Sequence, residues 1–246
     1  MKALVIGESC IDEYIYGSAE RLAPEAPAPV LVPTRKVHSQ GMAANVAANL
    51  MNLGVEVEQI TNGNKILKTR YIDDKTNHLL VRVDVGDAKT QQMKPISVTH
   101  KNLDSYDMVV ISDYCKGLIS EDDILAISAM HDNVFVDTKK QLNECFNHVT
   151  FLKINEHEYE KSARYFREFP IMLDKTIVTL GKIGCKLNGK VYPVNEVEVK
   201  DQVGAGDTFL AGLAYRYTVT KDVDDAIAFA NQCASIVVSK RGTASV

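Results

Sequence analysis

The chain has 246 residues, 46% of them hydrophobic and 24% charged, and a formal net charge of −4. That length suits one α/β domain with a sizeable core, and the mildly acidic balance argues against a nucleic-acid surface. Its five cysteines are scattered, with no CxxC or Cys/His cluster, and no apolar run nears the roughly 20 residues of a membrane span, so a zinc site, a disulfide framework and a transmembrane protein are disfavoured and a reducing cytoplasm is the expected setting.

Lys2–Gly7 is short and almost wholly apolar, as expected of a strand buried on both faces. Ala23–Pro33 holds Pro24, Pro27, Pro29 and Pro33, so it is extended and not helical. Gly41–Leu53 reads as a helix with Val46, Leu50 and Leu53 on one side and Gly54 behind its end. Ile66–Ile72 and Leu79–Asp84 read as a hairpin turning through Asp73–Asn77. With Tyr14–Tyr16 it would make a small separate sheet, either a flap over the main sheet or a plain extension that pairs two subunits.

Beyond it, Asp107–Ser112, Val134–Asp137, Phe151–Ile154 and Thr176–Leu180 are buried strands. Helices are expected over Asp122–Met130, from about Glu156 to Phe166, over Ala205–Thr218 and over Val223–Ser239. Asn188-Gly189 marks a tight hairpin between Cys185–Leu187 and Val191–Pro193. Strands alternating with helices imply an α/β fold, doubly wound around a mostly parallel sheet, with a small β flap or lid near residues 12–35 and 65–85. Residues 1–246 are taken as one domain, and ligands are expected at the carboxyl ends of its strands.

The stretch richest in chemistry is Asp201-Gln202-Val203-Gly204-Ala205-Gly206-Asp207-Thr208. Two glycines open a helix whose free N–H groups and positive dipole end can hold an anion. A carboxylate there is a poor choice for mere anion binding. It makes sense as a base that takes the proton of a hydroxyl attacking a phosphate. The plain alternative is an aspartate stabilising a first helical turn. The P-loop pattern is absent, and Phe209 stands where a dinucleotide fingerprint needs its third glycine. Thr179-Leu180-Gly181-Lys182-Ile183-Gly184 ends a strand on two glycines and by itself is a turn.

Together these pieces resemble the ribokinase-like sugar kinases, the PfkB carbohydrate kinase family, over nearly the whole chain. Asp201–Asp207 is similar to that family's Asp-Thr-x-Gly-Ala-Gly-Asp signature, with Gln202 in place of Thr. The resemblance implies ATP and Mg2+ as cofactors, Asp207 as the base, and an anion hole from the N–H groups of Gly204, Ala205 and Gly206. It places Asp12, Gly41 and Asn45 on the sugar, the last two within Gly41-Met42-Ala43-Ala44-Asn45, where Met42 replaces a glycine. Asn155 and Glu158 match an Asn-x-x-Glu element near the phosphates, Glu158 acting on magnesium through water. Thr179, Gly181 and Gly184 match the nucleotide turn, Asn231 the adenine pocket, and Gly242 a loop closing that side. Asp201, with the carbonyls of Val203 and Gly242, would take a monovalent cation such as K+.

Asp12–Gly17, Ala23–Val30, Ser112–Gly117 and Val136–Lys139 further resemble the heptose-7-phosphate kinase branch. A substrate that already carries a phosphate needs cations for it. Lys68 and Arg70 are the candidates, ahead of Arg82, and the competing reading is solvated charge guarding an edge strand. The chain is shorter than typical members and passes from Ile60 through Thr61–Asn64 straight into the flap. The expectation is a sugar or sugar-phosphate kinase. A kinase for a hexose, pentose or nucleoside, or a silent binding protein of the same fold, is the alternative. Its partners are small molecules, with no nucleic acid or membrane, and the lid offers a homodimer contact.

Overall fold

The computed structural model describes residues 1–87, 102–195, 197–198 and 201–239. The elements run β1 (Lys2–Gly7), β2 (Ser9–Ala23), β3 (Ala26–Met42), α1 (Ala43–Asn52), β4 (Glu56–Ile60), β5 (Leu67–Asp73), β6 (Leu79–Val85), β7 (Met108–Asp113), α2 (Glu121–Met130), β8 (Val134–Thr138), β9 (Phe151–Asn155), α3 (Glu156–Lys161), α4 (Ala163–Glu168), β10 (Thr176–Thr179), β11 (Cys185–Leu187), β12 (Lys190–Tyr192), α5 (Ala205–Thr220) and α6 (Val223–Val238).

The main sheet has the order β12-β11-β10-β9-β8-β7-β1-β4. From β4 to β10 every pairing is parallel, and the hairpin of β11 and β12 closes one side antiparallel. Its turn uses Asn188 at φ 45° and Gly189 at φ 77°, as the Asn-Gly pair predicts. Side chains of successive residues leave the sheet on opposite faces. Leu4, Ile6, Val109, Ile111, Val134, Val136, Leu152 and Ile154 therefore join one core with Ile124 and Ile127 of α2. Ala3, Val5, Met108, Val110, Phe135 and Phe151 join the other, against α1, α5 and α6. Burial on both faces explains why these strands are continuous apolar runs.

The second sheet has the order β3-β2-β5-β6. β2 and β3 form one long antiparallel hairpin, and β5 joins β2 in parallel. The lid is thus larger than the sequence suggests. β3 carries Pro27, Pro29 and Pro33, which an edge strand tolerates because its outer N–H groups have no ladder partner. Its root is a buried cluster of Cys10, Met42 and Ile66 with Tyr114 packed against it. The single helix expected from Glu156 to Phe166 is instead two, interrupted at Ser162, where φ −98° and ψ 12° depart from helical values.

Candidate active site

Parallel strands deliver their carboxyl ends to one edge of the sheet. Gly7, Asp113, Thr138, Asn155 and Thr179 are the last residues of β1, β7, β8, β9 and β10, and they line that edge. The N-terminus of α5 points at it. Gly204 is the N-cap in the left-handed region, φ 83° and ψ −4°, which glycine enters without steric cost, and no side chain caps the helix. The N–H of Ala205 makes a long turn bond to Gln202 O at 3.3 Å. The Thr208 N–H is the first to bond within the helix, to Gly204 O at 2.9 Å, so the amides ahead of it are the first-turn donors.

Asp207 lies in the first turn of α5 and is only 5% exposed. Asn45 Nδ2 donates to its Oδ2 at 3.1 Å, and the Tyr114 hydroxyl donates to its Oδ1 at 2.9 Å. Burial pushes its pKa up to about 6; the Asn45 and Tyr114 hydrogen bonds and Lys153 restrain the rise, and Asp137 adds to it. Asn45, expected on the sugar, thus holds the carboxylate, and it also reaches Gly204 O at 3.4 Å. Asn49 fixes Asn45 through its carbonyl at 2.8 Å and takes the Thr208 hydroxyl at 3.3 Å, so α1 and α5 are cross-linked at the site.

Beside this turn runs a chain of alternating charge. Lys153 Nζ pairs with Asp137 Oδ2 at 2.6 Å, Asp137 Oδ1 lies 3.6 Å from Lys139 Nζ, and Lys139 pairs with Glu158 at 2.6 Å. A Cβ built on Gly206 would lie 2.8 Å from Lys153 Nζ, so that ammonium borders the anion hole. Burial favours protonated Asp137, but the Lys153 and Lys139 ammoniums hold its carboxyl below the usual range. Asp137 Oδ1 is buried and accepts no hydrogen bond. Asn155 and Glu158 form a reciprocal capping box on α3, with Asn155 Oδ1 accepting the Glu158 N–H at 2.9 Å and Glu158 accepting the Asn155 N–H at 2.8 Å. Among the described residues no three His, Cys, Asp or Glu side chains are grouped to hold an ion, so a magnesium would draw on phosphate and water. Glu158 and the orphaned Asp137 oxygen suit such a hydrated ion.

The four-stranded sheet borders the other side of Asp207, through Cys10. Asp12, 4% exposed, pairs with Arg70 at 2.5 Å. Arg70 is therefore neutralised where the sequence proposed an available cation: it lies opposite Tyr14 on β2, two residues along from Asp12, and reaches that carboxylate diagonally. Lys68 is different. It is 9% exposed, its ammonium contacts Met42 Sδ at 3.3 Å, and among the described residues no carboxylate pairs with it. Gly41 leaves room for Asp12, since a Cβ there would lie 2.3 Å from Asp12 Oδ2 and push that side chain aside. Met42 holds φ 60° and ψ −136°, a conformation suited to glycine. Cys10 bridges the two halves of the site: burial first, then Asp12 and Asp207, pushes its thiol to about 12, so it stays neutral.

Other sequence-predicted residues lie further along the sheet edge. Thr179 donates its hydroxyl to Ile154 O at 3.2 Å. Gly181 (φ 58°) has open space around it, whereas a Cβ on Gly184 (φ 109°) would strike Tyr192 O at 2.1 Å. Asn231 is buried and donates to Tyr192 O at 3.1 Å, which staples α6 to β12. Asp201 accepts the Val203 N–H at 2.9 Å. Gly242 and its neighbours lie outside the described residues.

Four side chains escaped the sequence reading. Lys153 and Asp137 each put a charge into a strand that is otherwise buried and apolar, which demands a partner. Tyr114 and Asp137 lie in the Ser112–Gly117 and Val136–Lys139 stretches, whose resemblance assigned neither a role. Glu8, fully buried, accepts the N–H groups of Tyr114, Lys116 and Leu118 at 2.8–3.1 Å and so shapes the loop that presents Tyr114.

A pfkB family carbohydrate kinase model matches residues 57–246. The bifunctional protein HldE of Helicobacter acinonychis is 30% identical over 295 aligned positions, which cover 99% of this chain and 64% of that relative. The chain thus spans under two thirds of that relative's length. The alignment exceeds the chain's 246 residues, so the relative carries segments absent here. Ribokinase from Thermotoga maritima superposes with a TM-score of 0.71 at 18% identity, covering 99% of this chain and 94% of that one. Arabidopsis thaliana ribokinase complexed with ribose and ATP gives 0.68 at 16%, covering 98% and 93%. The fold is ribokinase-like, and the chain belongs to the pfkB family of carbohydrate kinases.

Proposed function

We propose that this chain transfers the γ-phosphoryl group of ATP to a hydroxyl of a sugar phosphate, with Asp207 as general base. The observation that carries this is a carboxylate buried in the first turn of α5, beside unspent N–H groups and the Lys153 ammonium. A pKa near 6 leaves Asp207 ionised at neutral pH yet basic enough to accept a proton. The acceptor oxygen forms its bond to phosphorus as the bond to the ADP oxygen breaks, and the proton passes to Asp207. Charge developing on the transferred group falls against the Gly204–Gly206 turn and Lys153, the kind of stabilisation that usually dominates catalysis.

The nucleotide would lie along Asn155, Thr179, Gly181 and Gly184, with Asn231 and the Gly242 loop on the adenine side. Magnesium, when bound, would neutralise phosphate charge. Glu158 and Asp137 would hold its waters, and Lys139 would then exchange Glu158 for phosphate. Asp201 would serve a K+ ion. Asp12 and Gly41 would position the acceptor, and Lys68 would take its distal phosphate, which fits a heptose-7-phosphate-like substrate. Residues 1–246 would act as one cytoplasmic kinase domain. The exposed Val81, Val83 and Val85 on the β6 edge would be covered by a second copy of the lid.

A coupled ATP-consumption screen across heptose-7-phosphate, other sugar phosphates and the free sugars tests this. Turnover should require an acceptor and favour a phosphosugar. Lys68→Ala should then raise its KM roughly 10- to 100-fold, the worth of one charge-assisted contact, and leave the free sugar unchanged. Equal effects on both would refute the distal-phosphate role.

A further inference from the structure

The hydroxyl nearest Asp207 belongs to the protein. Tyr114 donates to Oδ1 at 2.9 Å, a normal length for an alcohol about to yield its proton. Asn45 already occupies Oδ2. Each carboxylate oxygen thus already holds one donor, and the one on Oδ1 is a hydroxyl, the group an acceptor would present there.

The loop backbone is pinned beneath this side chain. Glu8 holds three of its N–H groups, and Cys115 takes φ 57° next to Tyr114. The ring packs against the Cys10, Met42 and Ile66 cluster. It is partly exposed, and the ammoniums of Lys68 and Lys139 stand 5.6 and 5.9 Å from its centroid. Rotating the side chain alone would bare Oδ1 and release both cations from the ring.

We propose that Tyr114 is a placeholder: its phenol occupies the acceptor hydroxyl's seat on Asp207 until the acceptor displaces it, and so keeps water off the base while nucleotide alone is bound. This rests on the reading of Asp207 as the base. A phosphosugar replaces everything it removes, offering a hydroxyl to Oδ1 and a phosphate to Lys68. Exclusion of water from the waiting site limits wasteful hydrolysis of ATP.

Several groups face Asp207. They are Asn45 from α1, Cys10 from β2, Tyr114 from the loop after β7, Asp137 from β8, Lys139 just beyond it and Lys153 from β9. Asn45, Tyr114 and the lysines favour the ionised carboxyl, Asp137 opposes it, and Cys10 stays neutral. Losing the phenol therefore moves the Asp207 titration upward.

The first test needs no ligand. In protein labelled with 13C at aspartate carboxyls, the Asp207 signal is identified by its loss in Asp207→Asn and titrated by NMR. Tyr114→Phe should raise its midpoint; an unmoved midpoint overturns the contact. The second test is ATP hydrolysis without acceptor. Tyr114→Ala should raise it at least ~10-fold, a fraction of what a positioned base supplies, and the added Asp207→Asn change should abolish the gain. Hydrolysis at the wild-type rate overturns the placeholder role while leaving the kinase reading intact. Normal acceptor turnover in Asp207→Asn would instead sink the base assignment itself.

Discussion

Lys153→Met separates what the buried charge chain does for stability from what it does for chemistry. Lys153 and Asp137 are each 4% exposed and 2.6 Å apart. Removing one partner of a buried pair costs about 3–5 kcal/mol, because the other charge is stranded. Here Lys139 remains 3.6 Å from Asp137, which places the loss near the lower end, about 3 kcal/mol. For a chain of this size that lowers Tm by about 6–12 °C, read by thermal unfolding. The sign with pH follows. With Lys153 present, Asp137 has a depressed pKa, so its contribution exists above the unfolded carboxylate pKa and fades as pH falls through the folded value. Without Lys153, burial raises the folded pKa, so the variant loses stability as pH rises from about 4 through that value. The Tm gap should therefore narrow toward acid. Lys153→Met combined with Asp137→Leu should recover most of the stability, and phosphoryl transfer should stay impaired because the ammonium beside Gly206 is gone. A single variant within about 1 kcal/mol of wild type, or a double variant less stable than the single, would refute this reasoning.

Three further outcomes follow. The acid limb of kcat/KM should lie near pH 6, where Asp207 takes up a proton, falling tenfold per pH unit below it; a flat profile from pH 5 to 8 would contradict the assignment. The folded pKa of Asp207 is raised, so its contribution to stability is complete below the unfolded value and lost as pH rises through about 6. The Tm of Asp207→Asn relative to wild type should therefore improve between pH 5 and 7.5 in differential scanning calorimetry. Gly41→Ala would put a Cβ 2.3 Å from Asp12 Oδ2 and 2.6 Å from Cys10 Sγ, so it should cut acceptor kcat/KM about 100-fold by displacing Asp12, with nucleotide affinity unchanged by titration calorimetry.

Local signals were legible in the sequence. The buried strands, the Asn-Gly hairpin and the glycine turn before Asp207 each follow from neighbouring residues. The extent of the lid did not, because three prolines and a mostly exposed edge blur the alternation of β3. The break at Ser162 escaped as well, since residues 156–166 keep a helical pattern on both sides of it. Within the site, the carboxylate at the start of α5 was readable but its surroundings were not. Asn45 and Tyr114 reach Asp207 from 162 and 93 residues away, and only the sheet's crossovers bring them there. The Arg70–Asp12 pair likewise depends on the parallel register of β2 and β5, which no local pattern encodes. Met42 was visible as a departure from glycine, and the structure gives it a physical form: a methionine held at φ 60° beside Lys68.

Asp207 carries the proposed chemistry. Asp207→Asn keeps the side chain's shape, so the most direct measurement is its kcat with the preferred acceptor beside its ATP affinity. The account predicts a kcat lower by roughly 10²–10⁴ with nucleotide binding nearly unchanged. Turnover close to wild type, with ATP bound as tightly, would contradict it.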